Sequence, residues 1–288
     1  MIQSAADLTQ VKAWQARMEH ALSERLPTSD AEPTRLHAAM RYSVLDGGER
    51  VRPLLLFGTA RTLGLSEAEV EAAACAIELV HAYSLVHDNL PALEDDAVHS
   101  GRPACHEAYD EGTAVLVGDA LQSLAFQLLA GDAALPASAD VRLRLISLLA
   151  EAIGASGLAG GQSIDVAAQG QRLSVPEMDA MYARRTGALI RASVLMAAAC
   201  APQMAAHLHE ALAEFAARLG LAFQIQHDLL DARPDTTHAP HYPAALGTEA
   251  SRQRIRQLHA EALEALQPLG AAADPLRALA EWLLVRDN

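Results

Sequence analysis

Four carboxylates stand within nine residues of one apolar stretch, and their types and spacing are the first sign of chemistry in this chain. They are Asp88, Glu94, Asp95 and Asp96, and the residues before them are mostly alanine, leucine and valine. Charges placed near an apolar core are costly unless a cation or hydrogen bonds compensate them. The stretch therefore indicates a metal site, and an exposed, solvated acidic turn is the alternative interpretation.

The local pattern predicts how two of these acids are presented. His81 and Asp88 are seven residues apart, which on a helix is two turns and places both on one face. Pro91 cannot complete the helical hydrogen-bond ladder, so it should end or kink the helix. We then expect Asp88 and Glu94 to face inward across an irregular turn. Mg²⁺ prefers oxygen ligands and usually takes one or two carboxylates together with substrate phosphates, which suits such a sparse site.

A second set of polar side chains repeats at helical spacing far down the chain. Its members are Gln224, His227, Asp228, Asp231 and Asp235. On a helix, residues four apart lie on one face, so this set would form an acidic stripe. Two such stripes on two apolar helices predict facing walls of a bundle cavity with metal between them. The alternative is two unrelated helix ends that finish in solvated acids.

Helical spacing of apolar residues recurs along nearly the whole chain, and it predicts the elements that position these acids. The segments predicted as helices are 8–26, 33–45, 54–63, 66–86 with an extension toward 93, 107–131, 139–156, 175–201, 203–231, 249–268 and 275–285. No stretch alternates apolar and polar residues as a half-buried strand does, and the Pro/His-rich segment 233–243 is typical of a surface loop. The pattern predicts a single all-α domain spanning residues 1–288, built as a bundle of about ten helices.

Composition supports helices and excludes some partners. Hydrophobic residues make up 51% of the 288 residues but aromatic residues only 4%, and a core of alanine, leucine and valine favours helices over sheets. The formal net charge is −14, which argues against nucleic acid as a partner because phosphate binding needs a basic face. An acidic protein can still bind a small anion through bridging metal ions.

The cysteines and the amino terminus set the expected compartment. Cys75, Cys105 and Cys200 are odd in number and widely spaced, so neither a disulfide framework nor a zinc site is indicated. The first residues lack the basic and apolar regions of a signal peptide, and no apolar run reaches the ~18 uninterrupted residues typical of a membrane span. We expect a cytoplasmic protein without a membrane span.

Several stretches, in a fixed order along the chain, resemble the trans-isoprenyl diphosphate synthases, and most closely the bacterial farnesyl diphosphate synthases. The matching stretches are 42–55, 78–106, 118–121, 160–165, 184–190, 220–231 and 242–247. The resemblance implies an all-α fold, usually a homodimer, whose central cavity binds an allylic diphosphate through two or three Mg²⁺ ions held by two aspartate-rich motifs. The family's reaction ionises that diphosphate and joins the carbocation to isopentenyl diphosphate. Tyr83-Ser84 and Leu90-Pro91 are similar to the farnesyl type, which implies a fifteen-carbon product.

The resemblance also implies roles for individual residues. The implied metal ligands are Asp88, Glu94, His227, Asp228 and Asp231, and the residues with catalytic roles are Asp88, Glu94, Arg185, Thr186 and Gln224. The implied substrate-binding residues are Glu49, Arg52, His81, Arg102 and Arg185. Such groups suit the reaction because Mg²⁺ and arginine or lysine stabilise the charge that develops on the leaving pyrophosphate. A dry, apolar pocket suits the carbocation.

The chain departs from the family pattern in its first motif. The second of two adjacent aspartates is Asn89, a later aspartate is Glu94, and the two arginines that usually follow are His99 and Ser100. Arg102 lies nearby and is placed to substitute for one of them. Losing one charge-assisted phosphate contact costs about 1.5–3 kcal/mol, and each ~1.4 kcal/mol is tenfold in rate or affinity.

Further departures lie elsewhere. Glu49 stands where the family's Gly-Gly-Lys-Arg motif has lysine, at a position expected to face the diphosphate of isopentenyl diphosphate. His227 replaces the leading aspartate of the second motif, Arg185 replaces a lysine conservatively, and the loop 233–241 has no lysine. These changes predict slower or altered condensation, with the largest effect on isopentenyl diphosphate.

Three functions follow from this pattern. The first is a Mg²⁺-dependent prenyltransferase of the farnesyl diphosphate synthase family with altered substrate use or reduced rate. The second is a terpene-synthase-like enzyme that ionises a single allylic diphosphate. The third is a catalytically silent subunit that binds an active partner synthase.

Overall fold

The computed structural model describes residues 5–45, 47–201, 204–231 and 241–284, and these residues are almost entirely helical. The helices are α1 Ala5–Arg25, α2 Thr34–Val44, α3 Val51–Thr62, α4 Glu67–Asp88, α5 Cys105–Ala108, α6 Glu111–Gly131, α7 Ala139–Ile153, α8 Leu158–Ala168, α9 Val175–Arg185, α10 Gly187–Cys200, α11 Ala206–Asp231, α12 Tyr242–Leu246, α13 Thr248–Ala265 and α14 Asp274–Leu284, with a 3-10 helix at Gln267–Ala273. Two short strands, β1 Val98–His99 and β2 Arg102–Pro103, pair as an antiparallel hairpin. The prediction of an all-α fold is confirmed.

The structure corrects the predicted helix boundaries at several points. The segment 175–201, predicted as one helix, is two helices that meet at Thr186. The short helices α5 and α12 were not predicted, nor was α8, which contains Gly160 and Gly161 and so lacks a strong helical signal. The described residues therefore hold fourteen α-helices rather than about ten. Most of the predicted loop 233–243 lies outside the described residues, and its last two residues begin α12.

Helix α4 lies at the centre of the bundle. Residues 72–80 are buried without interruption, and the helix packs against α3, α6 and α10. Alanines on this stretch let the neighbouring helices approach closely, while Ile77 and Leu79 fill the space between them with no exposed surface. Burial of this kind fixes the axis of α4, and with it the position of its last residue.

Both ends of α4 are defined by local chemistry. Ser66 and Glu69 form a capping box at the start, in which the Glu69 carboxylate accepts from the Ser66 backbone N–H at 2.8 Å. The helix ends at Asp88, and the chain then turns so that the Glu94 N–H donates to the Asp88 carbonyl at 2.9 Å. Pro91 lies inside that turn, as the sequence predicts. The turn brings Glu94 back beside the end of the helix.

A glycine contact sets the distance between α8 and α9. A Cβ placed on Gly161 would lie 2.4 Å from the backbone nitrogen of Arg185, so a larger residue at 161 would push the two helices apart. Asp165 lies one turn further along α8. The glycine therefore allows Asp165 and Arg185 to share one small region.

Two helical stretches, Glu111–Gly131 and Ala139–Ala168, have the length and apolar composition of membrane spans. The first is α6, which buries Val117, Leu121 and Ala125 in the core and packs against α4. The second covers α7 and α8, which are separate helices. Both stretches pack within the bundle, and 39% and 33% of their most apolar windows are buried.

Candidate functional site

Acidic side chains from four separate segments come together around one guanidinium. We call Asp88, Glu94, Asp165 and Asp228 the carboxylate cluster, and Arg185, the last residue of α9, lies among them. Arg185 forms ion pairs through Nη1 with Asp165 and through Nη2 with Glu94. Glu94 also accepts from Gln162 Nε2 at 3.2 Å. The two acidic motifs predicted to face each other are therefore linked in space by α8 and α9.

The second motif is held by a hydrogen-bond network at the break between α9 and α10. Asp228 Oδ2 accepts from the Tyr182 hydroxyl at 2.9 Å and from the Tyr242 backbone N–H at 3.1 Å. Its Oδ1 accepts from Gln224 Nε2 at 2.9 Å, and Gln224 Oε1 accepts from the Thr186 hydroxyl at 2.6 Å. The break at Thr186 thus places a hydroxyl and an amide beside the carboxylate cluster.

The electrostatics of the cluster show that its negative charge exceeds what Arg185 balances. Burial, against the opposing effect of Arg185 and with smaller contributions from Glu94 and Asp165, raises the pKa of Asp88 to about 7. Burial also raises the pKa of Asp165 and of Asp228. Burial disfavours the Arg185 charge, but the surrounding carboxylates outweigh it and raise the guanidinium pKa. A further cation would lower the energy of the ionised carboxylates.

The donor chemistry of the cluster fits Mg²⁺. Its side chains offer carboxylate oxygens, which hard cations prefer over nitrogen or sulfur ligands. Within the described residues, no three His, Cys, Asp or Glu side chains yet stand in an arrangement that could hold one metal ion. Arg185 occupies the space between Glu94 and Asp165, so metal binding at this point requires its guanidinium to move.

The remaining residues predicted as metal ligands lie at the end of α11. His227 is exposed there, whereas Asp228 is buried. Asp231 is the last residue of α11 and its side chain is outside the described part, as is the whole of Asp235. Among the second-motif acids, Asp228 is thus the one that the structure places in the carboxylate cluster.

A second region, which we call the arginine cavity, lies between the loop before α3, the middle of α4 and the β1–β2 hairpin. Its volume is about 270 Å³. The charged and polar side chains that line it are Tyr42, Ser43, Arg50, Glu78, His81, Asn89, His99, Ser100 and Arg102. The apolar side chains are mainly Val44, Leu45, Ala82, Leu85 and Val86. One cavity thus offers cationic groups and an apolar wall side by side.

The Arg50 guanidinium is engaged in hydrogen bonds with residues around the cavity. Its guanidinium donates to Glu78 at 2.8 Å, to Glu19 at 2.8 Å and to the carbonyl of Val44 at 2.6 Å. The residue caps the start of α3 with a φ of 57°, in the left-handed region that costs energy for any residue other than glycine. The buried ion pair with Glu78 stabilises that turn.

Positive charge accumulates behind the cavity wall. Arg52 is buried, and burial lowers the pKa of its guanidinium to about 10 although Glu78 opposes the change. Its Nε, which is shielded from solvent, has no hydrogen-bond partner among the described residues. Burial, together with Arg52, His99 and Arg50, lowers the pKa of His81 far below its ordinary value, so the imidazole is held neutral. A bound anion would compensate the buried charge of Arg52, so the cavity is suited to a phosphate or diphosphate.

Two other predicted substrate-binding residues have distinct positions. Arg102 lines the cavity from strand β2. Glu49 is exposed and is not among the residues that line the cavity, and its carbonyl accepts from Gln15 Nε2 at 3.0 Å. The structure therefore places the charge of Glu49 outside the arginine cavity.

Sequence reasoning missed several residues of these two regions. Asp165 and Gln162 lie in the stretch 160–165 that carries the family resemblance, and a buried acid in so apolar a stretch was an available signal. Tyr182 and the Arg50–Glu78 pair gave no such signal, because only the folded chain brings their partners together. The missed residues are those whose roles depend on contacts between distant elements.

The bundle, with a carboxylate cluster around Arg185 beside a cavity that contains arginine, defines an isoprenoid-synthase type of all-α protein. The chain belongs to the polyprenyl synthetase family, whose sequence profile matches residues 33–240. The resemblance seen in the sequence is thereby confirmed.

Individual comparisons agree with this assignment. The chain is 36% identical over 287 residues to a farnesyl diphosphate synthase of Haemophilus influenzae, covering 95% of this chain and 96% of the other. It is 37% identical over 295 residues to the farnesyl diphosphate synthase of Escherichia coli, with coverages of 97% and 98%. A solved FPP/GFPP synthase from Zymomonas mobilis superimposes with a TM-score of 0.90 at 34% identity, covering 97% of this chain and 99% of that one.

Proposed function

We propose that this chain is a Mg²⁺-dependent prenyltransferase that condenses an allylic diphosphate with isopentenyl diphosphate. The observation that carries the proposal is that one helix contributes to two different polar sites. The arginine cavity can bind a diphosphate directly, and the carboxylate cluster can bind one through metal ions. Helix α4 presents His81 to the arginine cavity and, two turns later, Asp88 to the carboxylate cluster. Two diphosphates bound at these sites would bring their hydrocarbon chains together along the same helix. Relatives of similar length are named farnesyl diphosphate synthases, which supports the proposal.

The carboxylate cluster is the proposed site of the allylic diphosphate. Asp88, Glu94, Asp165 and Asp228 would hold Mg²⁺, with Asp231 at the end of the same helix as Asp228. When bound, Mg²⁺ neutralises charge on the leaving pyrophosphate. Arg185 remains close enough to donate to the diphosphate oxygens once it leaves its carboxylate partners. The Thr186 hydroxyl and the Gln224 amide would complete the polar wall.

The arginine cavity is the proposed site of isopentenyl diphosphate. Arg102 in the lining and Arg52 behind it supply positive charge for its diphosphate, and the neutral His81 imidazole can donate a hydrogen bond to it. Leu85 and Val86 supply apolar surface for its five-carbon chain. In the reaction the allylic carbon–oxygen bond breaks and its electron pair leaves with pyrophosphate. A carbon–carbon bond then forms to the alkene carbon of isopentenyl diphosphate, and one proton is lost. The apolar wall excludes water from the carbocation during these steps.

The proposal also covers the expected rate, product length, assembly and location of the enzyme. The substitutions Asn89, His99, Ser100 and His227 reduce the charge available to the substrates, so condensation is expected to be slower than in relatives that carry aspartate or arginine there. We expect a fifteen-carbon product, a homodimer, and a cytoplasmic location. A heteromeric partner synthase is the alternative assembly. A large subunit of a heterodimeric geranylgeranyl pyrophosphate synthase from Arabidopsis thaliana, 36% identical over 276 residues, is the relative that motivates it.

The decisive experiment uses the purified chain with Mg²⁺ and geranyl diphosphate, with and without isopentenyl diphosphate. Pyrophosphate release and product mass are measured together. Release that requires both substrates and yields a fifteen-carbon diphosphate supports the proposal. Release from geranyl diphosphate alone would instead identify a terpene-synthase-like enzyme. No release under either condition, with no Mg²⁺-dependent thermal shift in the presence of pyrophosphate, would identify a silent subunit.

A further inference from the structure

The arginine cavity contains one lining arginine whose donors are available to a ligand. The Arg50 guanidinium already donates hydrogen bonds to Glu78, Glu19 and the carbonyl of Val44. Arg52 lies buried behind the lining. Arg102 lines the cavity, and in the described part of the chain its contact is with an aromatic ring rather than with a carboxylate. Arg102 is therefore the arginine that can turn its donors to an anion without breaking an ion pair.

The aromatic partner is Tyr42, near the end of α2. The Arg102 guanidinium carbon lies 4.3 Å from the centre of the Tyr42 ring, within the range of a cation–π contact. The Tyr42 hydroxyl donates to the carbonyl of Pro103 at 2.8 Å, one residue along strand β2. Tyr42 thus holds both the side chain of Arg102 and the strand that carries it.

The ring itself is fixed by its surroundings. Tyr42 packs edge-on against Tyr109 with ring centres 5.7 Å apart, and Arg35 lies over the Tyr109 ring at 5.5 Å. Arg35 is also paired with Asp110 at 2.6 Å, which ties the outer end of this stack to α6. The stack therefore provides a rigid support that reaches from the surface to the cavity.

We propose that Arg102, positioned by Tyr42, is the arginine that recognises the diphosphate of the homoallylic substrate, and that Tyr42 is a positioning residue for substrate affinity at this site. The inference rests on the proposed function for the identity of the ligand. The contact with the ring engages the face of the guanidinium and leaves its N–H groups able to donate to a diphosphate oxygen. Because the support is preformed, little side-chain entropy is lost when the anion binds.

The test measures binding rather than turnover, so it does not depend on catalysis. Isopentenyl diphosphate is titrated calorimetrically into the full chain in the presence of a metal chelator, so that the carboxylate cluster does not hold the ligand through Mg²⁺. Arg102→Leu should weaken binding roughly tenfold to a hundredfold, the loss expected for a charge-assisted hydrogen bond. Tyr42→Leu should weaken it by about three- to thirtyfold because the ring support is lost. Tyr42→Phe keeps the ring and should weaken it by less than about threefold.

The double variant distinguishes positioning from general damage. If Tyr42 acts through Arg102, Tyr42→Leu combined with Arg102→Leu binds no more weakly than Arg102→Leu alone. Arg256→Leu is the matched control, because it removes an exposed arginine of α13 that is not among the residues lining the cavity, and its affinity should equal that of the wild type. Melting temperatures of all variants confirm that each is folded.

Several outcomes would overturn the inference. They are an Arg102→Leu variant that binds isopentenyl diphosphate as the wild type does, additive losses in the double variant, and a Tyr42→Phe variant as weak as Tyr42→Leu. Absence of binding by the wild type would also overturn it. Pyrophosphate release, assayed separately, decides the proposed function. An active enzyme with an irrelevant Arg102 is therefore distinguishable from an inactive protein whose cavity still binds the ligand.

Discussion

The carboxylate cluster and the arginine cavity share helix α4 but are built in different ways. The cluster collects side chains from the end of α4, the following turn, α8, α9 and α11, and it is held by ion pairs and hydrogen bonds across elements. The cavity is formed by segments close to one another around α4, and its shape depends on a left-handed residue and a hairpin. The carboxylate cluster is held together by contacts between charged and polar side chains, whereas the arginine cavity is defined by the backbone around it.

The difference predicts how each region responds to substitution. In the cluster, the carboxylates act together on the proposed metal ion, so removing Asp88 should affect turnover itself. In the cavity, Arg50 is engaged in structure and the binding charge comes from a few groups, so removing one of them should weaken the binding of one substrate. Substitutions that remove one charge from each region test this contrast.

Asp88→Asn should have the largest effect. It removes the carboxylate at the end of α4 from the proposed Mg²⁺ site, and we expect pyrophosphate release to fall at least a thousandfold, since such a metal supplies several kcal/mol of charge stabilisation (about 1.4 kcal/mol per tenfold). Asp95→Asn, at an exposed neighbour with a φ of 55° that asparagine tolerates, is the matched control. Equal turnover by the two variants would place metal binding elsewhere.

Arg185→Gln should separate the structural role of the guanidinium from that of the metal. Without Mg²⁺ the carboxylates lose their counter-ion, and the free energy of unfolding should fall by about 2 kcal/mol, less than for a fully buried pair because the Arg185 side chain is 24% exposed. With Mg²⁺ and pyrophosphate the loss should be smaller, because the metal replaces the guanidinium as the counter-charge.

Denaturant unfolding with and without Mg²⁺ measures the effect of Arg185→Gln. Arg184→Gln is the control, since Arg184 contacts only the backbone carbonyl of Ala180 among the bonds described for it. An equal loss of stability with and without Mg²⁺ would show that Arg185 and the metal do not share the same carboxylates.

The pH dependence of Mg²⁺ affinity tests whether the Asp88 carboxylate binds the metal. The pKa of Asp88 is raised to about 7, so below that pH the carboxyl is mostly protonated and a metal must displace the proton. The Mg²⁺ affinity should therefore rise roughly tenfold between pH 6 and pH 8 and level off above that range. Calorimetric titration across this range measures it, and the rise should be absent in Asp88→Asn.

The same pKa shift has a consequence for the metal-free protein. A carboxyl whose pKa is raised in the folded state stabilises the fold at low pH, and that contribution is lost as the pH rises through about 7. The melting temperature of the metal-free chain should then decrease toward neutral pH, and added Mg²⁺ should reverse the decrease. A melting temperature that rises between pH 5 and pH 7 would contradict the assigned burial of Asp88.

Glu49→Lys should have the smallest effect. Glu49 is exposed and outside the arginine cavity, so its charge acts on the ligand through screened solvent. We expect the KM for isopentenyl diphosphate to fall about twofold, and the gain should vanish at high salt. A tenfold gain that persists at high salt would show that residue 49 contacts the diphosphate directly, as the sequence comparison alone suggests.

The sequence predicted those features that a local pattern can encode. The α4 helix, its end before Pro91 and the turn that brings Glu94 back beside the helix end follow from helical spacing, capping and the proline. The facing of the two acidic stripes stays a prediction, although Glu94 itself is exposed. These elements have strong periodic signals and small, common helix-forming residues.

Features that depend on contacts between distant elements were beyond such reasoning. The close approach at Gly161 that pairs Arg185 with Asp165, and the break at Thr186, have no signal in hydrophobic spacing. The position of Glu49 also could not be read from its motif, because the left-handed backbone at Arg50 decides which side chains turn toward the cavity. Tertiary geometry, rather than residue type, sets these outcomes.

The ends of α4 and α11 have a further consequence for how quickly the site can fill. α4 ends at Asp88 and α11 at Asp231, and the carboxyl end of a helix carries about half a negative charge from its aligned peptide dipoles. Two such ends near one cluster add to the long-range pull of a chain with net charge −14 on a divalent ion. Ion capture should therefore be fast at low ionic strength and slow as salt is added. Part of this attraction comes from the backbone, which side-chain substitutions leave untouched.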